Sequence, residues 1–281
     1  MKMIYKPLKL IAYHFYWKLI SFSWYFLSKP TSQLERQSSF SIGITTYINR
    51  FESYFKPLIK QLHYCFPDTQ LVVLLNGHYE LEEQHLYIKK AKAFLDQYPN
   101  VKLVTFERPQ SLSKLWNLCV INADAEKVLM LNDDLKLSPW FAKAFHASKI
   151  LGSEIALINR SWSHYLISKS VLRRVGWFDE RFPAIGNEDE DYEARLSMAK
   201  LPLTDFKIRE IFNVVELPKK YSYGKDVDLV NVKYAKSNQD FFNLKWDKVY
   251  EKKKGYFYVP ILNAYLKLKD GMETPNFYHH L

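Results

Sequence analysis

Two groups of carboxylates carry the chemistry that this sequence offers. The first, Asn132-Asp133-Asp134, directly follows the apolar run 127–131, a pattern typical of a buried strand. The second, Glu188 to Asp191, opens a segment with the pattern of a helix over 192–200. Carboxylates are ligands of Mg²⁺ and Mn²⁺, and a carboxylate at the mouth of a helix can accept a proton as a general base. If the two groups meet in one cleft, they would support a metal-dependent transfer to a hydroxyl acceptor.

Both groups also have ordinary structural explanations. Asn and Asp dominate turns after strands, so the triplet alone fits a plain turn. Asn187 can cap the following helix, Glu190 three residues later can complete a capping box, and acids in a first turn favour the helix dipole. Within this group Asp189 is the candidate general base. Glu188 and Arg195 are two helical turns apart and would either orient the site or solvate one face.

An alternation of strand and helix patterns must position these residues. Short β-branched and Leu-rich runs are separated by helical segments. The predicted strands are 40–46, 70–75, 101–106 and 127–131, and the predicted helices are 51–66, 80–97 and 111–123. This order predicts an α/β fold with a mostly parallel sheet and helices on both faces. In such sheets ligands bind at the carboxyl ends of the strands, where polar residues stand here.

The second half of the chain gives weaker patterns. It predicts a surface helix over 139–152, strands over 155–159, 164–168 and 207–215, and a helix end over 238–246. A basic and aromatic patch, 252–258, would either touch headgroups or polyanions or form a solvated turn beside a core strand. We favour the solvated turn.

Composition excludes several classes of protein. The chain has 281 residues, of which 48% are hydrophobic and 16% aromatic, enough for a real core in one large domain or two small ones. Its two cysteines, Cys65 and Cys119, form no Cys-x-x-Cys pair, which favours a reducing compartment and argues against structural zinc. A nucleophile elbow, a phosphate-loop glycine pattern and a dinucleotide fingerprint are all missing from the sequence, which argues against hydrolases and dehydrogenases.

The first 37 residues carry half of the net charge of +10 and many aromatic side chains. Lys18 falls in the middle of the apolar stretch, where a charge costs roughly 2.5–3.5 kcal/mol in a membrane-spanning helix. On a helix, His14, Lys18, Ser21 and Ser28 share one stripe, which favours an amphipathic helix lying in the headgroup region. We therefore predict a peripheral membrane anchor. The alternatives are a helix packed on its own domain and a signal anchor, whereas Ser28-Lys29-Pro30 is a poor cleavage site for a signal peptide.

These features predict three regions. Residues 1–37 form the membrane-associating helix and linker, 38–250 the α/β domain, and 251–281 a basic and aromatic extension packed on that domain.

Several ordered motifs resemble those of family 2 glycosyltransferases, which have the Rossmann-like GT-A fold, and in particular the bacterial enzymes of surface-polysaccharide synthesis. The motifs are Phe40 to Tyr47 with Asn49-Arg50, Asn132 to Asp134, Gly176-x-Phe178-Asp179-Glu180-x-Phe182, Glu188-Asp189-x-Asp191-x-x-x-Arg195, and Asn238-x-x-Phe241-Phe242-x-x-Lys245-Trp246. The resemblance spans 39–246. Its most specific part is the block from Gly176 to Asp191.

The resemblance implies an inverting hexosyl transfer from a nucleoside-diphosphate sugar, assisted by Mn²⁺ or Mg²⁺. Asp134 would hold the metal and Asp189 would be the base. On the donor side, Asp133 would contact the ribose or the donor sugar. The residues around the nucleobase would be Thr45, Tyr47 and Asn76. Asn117 would lie near the donor. On the acceptor side, the residues would be Trp177, Asp179 and Glu188. The chain departs from many relatives in having no His within 211–225 and no carboxylate after the second strand, where Asn76-Gly77-His78 stands.

Three functional hypotheses follow. The preferred one is a transferase at the cytoplasmic face of the inner membrane that extends a glycan or lipid-linked acceptor of a capsule, O-antigen or lipooligosaccharide. The second is a catalytically degenerate binding partner in a polysaccharide assembly complex. The third, a nucleic-acid binder, is disfavoured because the basic residues cluster at the apolar N-terminus, and we predict no nucleic-acid partner.

Overall fold

A computed structural model describes residues 15–20, 22–24, 39–213 and 225–278, with side chains from 234 onward in the last range. Its strands are β1 (Phe40–Thr46), β2 (Leu71–Leu75), β3 (Val101–Thr105), β4 (Lys127–Asn132), β5 (Leu135–Leu137), β6 (Ile155–Ile158), β7 (Ser161–Ser168), β8 (Thr204–Phe206), β9 (Ile211–Asn213), β10 (Trp246–Val249), β11 (Phe257–Val259) and β12 (Ala264–Leu268). The helices are α1 (Lys56–Cys65), α2 (Leu81–Leu95), α3 (Leu112–Asn122), α4 (Phe141–Ala147), α5 (Lys169–Val175), α6 (Glu188–Met198) and α7 (Lys225–Lys245).

A seven-stranded sheet with the order β3-β2-β1-β4-β7-β6-β8 forms the centre of the molecule. Strands β3, β2, β1 and β4 are parallel, β7 is antiparallel to both β4 and β6, and β8 is parallel to β6. Alternate side chains of β1, β2 and β4 point to opposite faces of the sheet and enter two separate apolar clusters. Helices pack in both clusters and so cover both faces of the sheet. The predicted α/β fold class, with a mostly parallel sheet flanked by helices, is therefore confirmed.

The predicted elements differ from the observed ones mainly at their ends. The helix predicted over 139–152 ends as α4 at Ala147, since Lys149 adopts a left-handed conformation with φ of 60° before a short 3-10 turn. The acidic helix begins at Glu188, four residues earlier than the periodicity suggested, directly after a left-handed Asn187. Within the described part of 207–215, the strand is limited to β9, which pairs with β5.

One glycine is required by close packing between β1 and α3. A Cβ at Gly43 would lie 2.7 Å from Met130 Sδ and 2.9 Å from Cys119 Cβ. Glycine at this position therefore brings β1 and α3 into direct contact, next to the strand end that carries Thr45 and Thr46.

A second apolar layer joins the acidic helix to the C-terminal part of the chain. Strands β10, β12 and β11 form an antiparallel sheet, and its side chains pack with Phe182, Ala194 of α6 and Phe242 of α7. The basic residues 252–254 are exposed in the turn before β11. Strand β10 precedes residue 250 and β11 follows it, so this sheet lies across the predicted domain boundary.

The described N-terminal residues, 15–20 and 22–24, are largely helical and show two apolar faces. Trp17 and Ile20 are buried against Phe212, and the rings of Trp17 and Phe212 stack at 5.0 Å. Other apolar side chains of this segment are exposed: Phe15 by 64%, Leu19 by 55% and Phe22 by 59%. One face thus packs on the domain, as in the alternative above, and the other is open. Among the described residues, no helix has the length and apolar character needed to cross a bilayer.

Candidate functional site

The two aspartates after β4 form an ion cluster with Arg50. Asp133 and Asp134 are both buried, and Arg50 Nη1 lies 2.6 Å from Asp133 Oδ1 and 3.4 Å from Asp134 Oδ2. The short 3-10 turn Ile48–Arg50 that follows β1 brings the guanidinium to this position. Burial raises the pKa of Asp133 to about 6, although the charge of Arg50 opposes the shift. The triplet is therefore more than a solvated turn.

Tyr47 joins the same cluster through Arg50. Arg50 Nε donates to the Tyr47 hydroxyl at 3.0 Å, and the guanidinium lies 5.3 Å from the centroid of the Tyr47 ring. Thr45 pairs with Asn132 in the β1–β4 register. The structure thus brings Thr45, Tyr47, Asp133 and Asp134 to one end of the sheet. Arg50 belongs to the Asn49-Arg50 motif that follows β1, but nothing in the sequence indicated its contact with the two aspartates.

The cluster offers oxygen ligands of the type that a hard divalent cation prefers. Asp133 Oδ2 is buried and accepts no hydrogen bond from the described residues. Within that part of the chain, no group of three or more His, Cys, Asp or Glu is arranged to hold a metal ion. Mg²⁺ and related cations commonly use one or two carboxylates, with substrate phosphates and water as the other ligands. The donor set therefore fits a cation that binds together with a phosphate-bearing substrate.

Removing the Arg50 charge should destabilise the protein. Arg50→Met would leave two buried carboxylates without this cation, and breaking a buried pair costs about 3 kcal/mol. The exposed pair between Arg160 and Asp205, at 3.7 Å with Arg160 84% exposed, gives the control Arg160→Met, for which we expect at most about 1 kcal/mol. Urea unfolding at neutral pH measures both. If the two variants lost the same free energy of unfolding, the Arg50 pair would contribute no more than an ordinary surface ion pair.

Asn76 shapes a loop beside this cluster. Its Oδ1 accepts from the N–H groups of Gly77 and Gln110 at 2.9 and 2.8 Å, and its Nδ2 donates to Gln110 O at 3.2 Å. A Cβ at Gly77 would overlap the backbone of Arg108 at 2.1 Å, so the loops after β2 and β3 touch here. Asn76 is thus part of a rigid loop pair, and its contact with a nucleobase stays a prediction.

Asn117 lies in a buried hydrogen-bond network, and its predicted place near the donor stays a prediction. This residue of α3 is fully buried. Its Nδ2 donates to Phe178 O at 3.0 Å and Glu180 Oε1 at 2.9 Å, and its Oδ1 accepts from Phe178 N–H at 2.9 Å. With both amide hydrogens and the oxygen bonded, Asn117 fixes the segment 178–180. Its sequence neighbours gave no sign of this partner, which is 61 residues away.

The acidic group at the start of α6 is held by its own backbone. Asp189 is half-buried, and its Oδ1 accepts from Glu190 N–H at 3.0 Å. Glu188 is buried and accepts from Gly186 N–H. Asn187 donates to the Glu190 carboxylate at 2.9 Å, and its side chain makes no capping bond to the helix backbone. The capping box is therefore absent at Asn187, and a side-chain pair stands in its place.

The carboxyl groups of this cluster hold protons unusually tightly. Burial, followed by the charge of Asp189, raises the pKa of Glu188 to about 8 and that of Glu190 to about 7. Burial also raises the pKa of Asp189 itself. Glu188 is therefore mainly protonated near neutral pH, so it can donate a hydrogen bond while Asp189 accepts one. Carboxyls with strongly shifted pKa values are a common feature of functional sites.

The pH dependence of stability should reveal Glu188. Its pKa is about 8 in the folded protein and about 4.3 in an unfolded chain, so the folded state binds this proton more tightly. The stabilisation is complete below the unfolded pKa, declines as pH rises, and is lost above the folded pKa. As pH rises from the unfolded to the folded pKa of Glu188, the melting temperature of Glu188→Gln should therefore fall less than that of the wild type. Glu82→Gln, at an exposed position of α2, should follow the wild type.

The start of α6 lies beside the strand pair β4–β7. Tyr165 of β7 pairs with Met130 of β4, two residues before Asn132. Burial and then nearby charges, including those of Glu188 and Asp189, raise the pKa of the Tyr165 hydroxyl. The Phe178 and Tyr192 rings, which stack at 4.1 Å, pack in the same apolar cluster as Tyr165. The carboxylates of Glu188 and Asp189 thus lie near Tyr165, on the β7 side of β4.

The predicted acceptor residues lie against the C-terminal part of the chain. Asp179 is buried and pairs with Arg181 and Lys245, both at 2.7 Å. Burial alone would raise its pKa, but hydrogen bonds from Arg181 and the charge of Lys245 lower it to about 2. The predicted contact of Asp179 with an acceptor stays a prediction. Trp177 is half-buried, with its ring 5.0 Å from that of Tyr278.

Comparison with known proteins gives distant likenesses in structure only. No protein-family model and no curated protein matches the chain. A structure of S. aureus TarS 1-349 in complex with UDP is 16% identical, covers 61% of this chain and has a TM-score of 0.45. The mannosyltransferase PcManGT from Pyrobaculum calidifontis, in complex with GDP-Man and Mn²⁺, is 13% identical over 76% of this chain and 69% of its own, with a TM-score of 0.49. The chain spans 58% of the TarS 1-349 chain.

Proposed function

We propose that the protein is a metal-dependent inverting glycosyltransferase that moves a hexosyl group from a nucleoside-diphosphate sugar to a hydroxyl. The observation that carries this proposal is the presence of two acidic sites of different character, one at the end of β4 and the other at the start of α6. At the end of β4, Asp133 and Asp134 form a buried cluster with Arg50. At the start of α6, Asp189 lies among carboxyls whose pKa values are raised.

The chain's own groups would divide the work between donor and acceptor. Asp134 and Asp133 would hold the metal and the donor, with Tyr47 and Thr45 around the nucleobase. When bound, the cation would neutralise charge that develops on the departing diphosphate. Asp189 would take the proton of the acceptor hydroxyl as that oxygen attacks the anomeric carbon. Glu188, protonated near neutral pH, would donate a hydrogen bond to the acceptor.

The acceptor proposed here is a glycan or a lipid-linked precursor of a bacterial surface polysaccharide. The exposed apolar face of the N-terminal helical segment supports a peripheral position at the cytoplasmic face of the inner membrane, because Phe15, Leu19 and Phe22 are open while the opposite face packs on the domain. Such aromatic and aliphatic side chains are typical of helices that lie in the headgroup region.

A thermal-shift panel of nucleotide sugars with and without Mn²⁺ or Mg²⁺ tests the proposal. One donor should raise the melting temperature only with a cation present, since a ligand at 100 times its dissociation constant adds about 2.7 kcal/mol of stability. Release of the nucleoside diphosphate with an acceptor extract would then show turnover. A stabilising donor without turnover would instead favour a degenerate binding partner, a candidate that the Arg50 contact with both aspartates supports.

A further inference from the structure

The buried ammonium of Lys245 joins three separate parts of the chain. Lys245 ends α7 and is fully buried. Its Nζ lies 2.7 Å from Asp179 Oδ2, 2.6 Å from Asp191 Oδ1 and 2.7 Å from Thr274 Oγ1. The ammonium donates hydrogen bonds to Asp179 and Thr274 and forms an ion pair with Asp191. Asp179 and Asp191 are the two ends of a segment, 179–191, that includes Asp189.

A second residue of α7 holds the middle of the same segment. Asn238 lies seven residues before Lys245, which is about two helical turns, and the two side chains therefore face the same way. Asn238 is fully buried, and its Nδ2 donates to Pro183 O and Ile185 O, both at 3.0 Å. These two bonds fix backbone carbonyls inside the segment whose ends Lys245 holds.

The backbone of this segment needs such support. Ala184, Gly186 and Asn187 have φ values of 52°, 121° and 65°. A left-handed conformation costs free energy in a residue other than glycine, and it persists where the surrounding structure imposes it. The segment leads directly into α6, so its conformation sets where Glu188 and Asp189 lie.

We infer that Asn238 and Lys245 are positioning residues that hold the segment 179–191, and with it Asp189, in the geometry needed for acceptor deprotonation. The inference rests on the proposed function. Neither residue contacts Asp189, and both act through the segment. Asp191 is fixed further by Arg195 Nε and Trp246 Nε1, each at 2.9 Å. A buried ion pair contributes little net stability, so its main effect here is on geometry.

Two variants and one matched control test this inference. Lys245→Met removes the ammonium, and Asn238→Ser removes the two amide bonds while leaving the ion network in place. Lys269→Met is the control, because Lys269 lies in the same C-terminal region with a half-exposed partner, Asp247, at 3.5 Å. Amide hydrogen exchange of the ligand-free protein, followed by mass spectrometry, measures how strongly the backbone N–H groups of 183–191 are protected. This measurement does not depend on activity.

We expect exchange within 183–191 to become at least about tenfold faster in both variants, because local opening of the segment becomes easier. We also expect kcat to fall by about 100-fold, since a small misplacement of a reacting group has an effect of this size. The melting shift produced by donor and cation should remain, since the donor side lies on β1 and β4. Lys269→Met should leave all three measurements at the wild-type level.

Each result decides the inference. Unchanged exchange in both variants would overturn it, and so would faster exchange with wild-type kcat. If Lys245→Met does not fold, Asn238→Ser decides alone by the same two measurements. A wild type that transfers no sugar, together with faster exchange in the variants, would contradict the proposed function and uphold the restraint of the segment by α7.

Discussion

Replacing Asp189 with Asn should abolish sugar transfer while the protein stays folded and binds its donor. The amide cannot take a proton from the acceptor hydroxyl, and loss of a general base lowers kcat by about 10²- to 10⁴-fold. The substitution preserves size and removes one charge from a crowded cluster, in which Asp189 raises the pKa values of Glu188 and Glu190. The measurement is kcat at saturating donor, with a melting curve as the test of folding.

Asp240→Asn is the matched control, because Asp240 is an exposed carboxylate of α7. It should retain wild-type turnover. In the wild type, activity should fall as pH falls, since a base acts only when deprotonated and burial raises the pKa of Asp189. Wild-type turnover in Asp189→Asn would remove Asp189 from its proposed role and point to another carboxyl, such as Glu190.

Replacing Asp134 with Asn should remove the effect of the divalent cation on donor binding. Asp134 is buried at the end of β4, in the cluster with Arg50, and an amide is a much weaker ligand for a hard cation than a carboxylate. We expect the Mn²⁺-dependent melting shift with the donor to disappear, and donor affinity to fall by about tenfold or more, which corresponds to about 1.4 kcal/mol. Calorimetric titration of the donor with and without Mn²⁺ measures this.

The control for Asp134 stands at the opposite end of the same strand. Asp124 precedes β4 and is exposed, so Asp124→Asn should keep both the donor affinity and the cation effect. If Asp134→Asn retained a full cation effect, the metal would have to bind elsewhere. The proposed division of labour between Asp133 and Asp134 would then fail, although the fold would be unaffected.

The fold was predictable because its strands are short apolar runs separated by amphipathic helices. Strand β1 begins and ends at the predicted residues, Phe40 and Thr46, and β4 extends only one residue further, to Asn132. The break of the 139–152 helix at Lys149 was not predictable, because nothing in the local sequence marks a left-handed residue there. Conformations of this kind are imposed by tertiary packing, which periodicity does not encode.

The candidate site was predictable in its residue types and less so in its contacts. The acidic groups stand out because several carboxylates are clustered within a few residues of each other. Their partners do not, since Arg50 meets Asp133 across 83 residues and Lys245 meets Asp179 across 66. Likewise, the motif around Asn117 carries no sign of its hydrogen bond to Phe178. Side-chain partners far apart in sequence leave no local signal.

The ion network around Lys245 also bears on how the protein is made. A ribosome delivers the chain from its amino end, so Asp179, Asp189 and Asp191 emerge well before Lys245 and Thr274. A nascent chain that ends after α6 has its acidic helix but lacks the cation that orders the segment before it. The conformation of the segment 179–191 is therefore completed late in translation, after Lys245 and Thr274 have emerged.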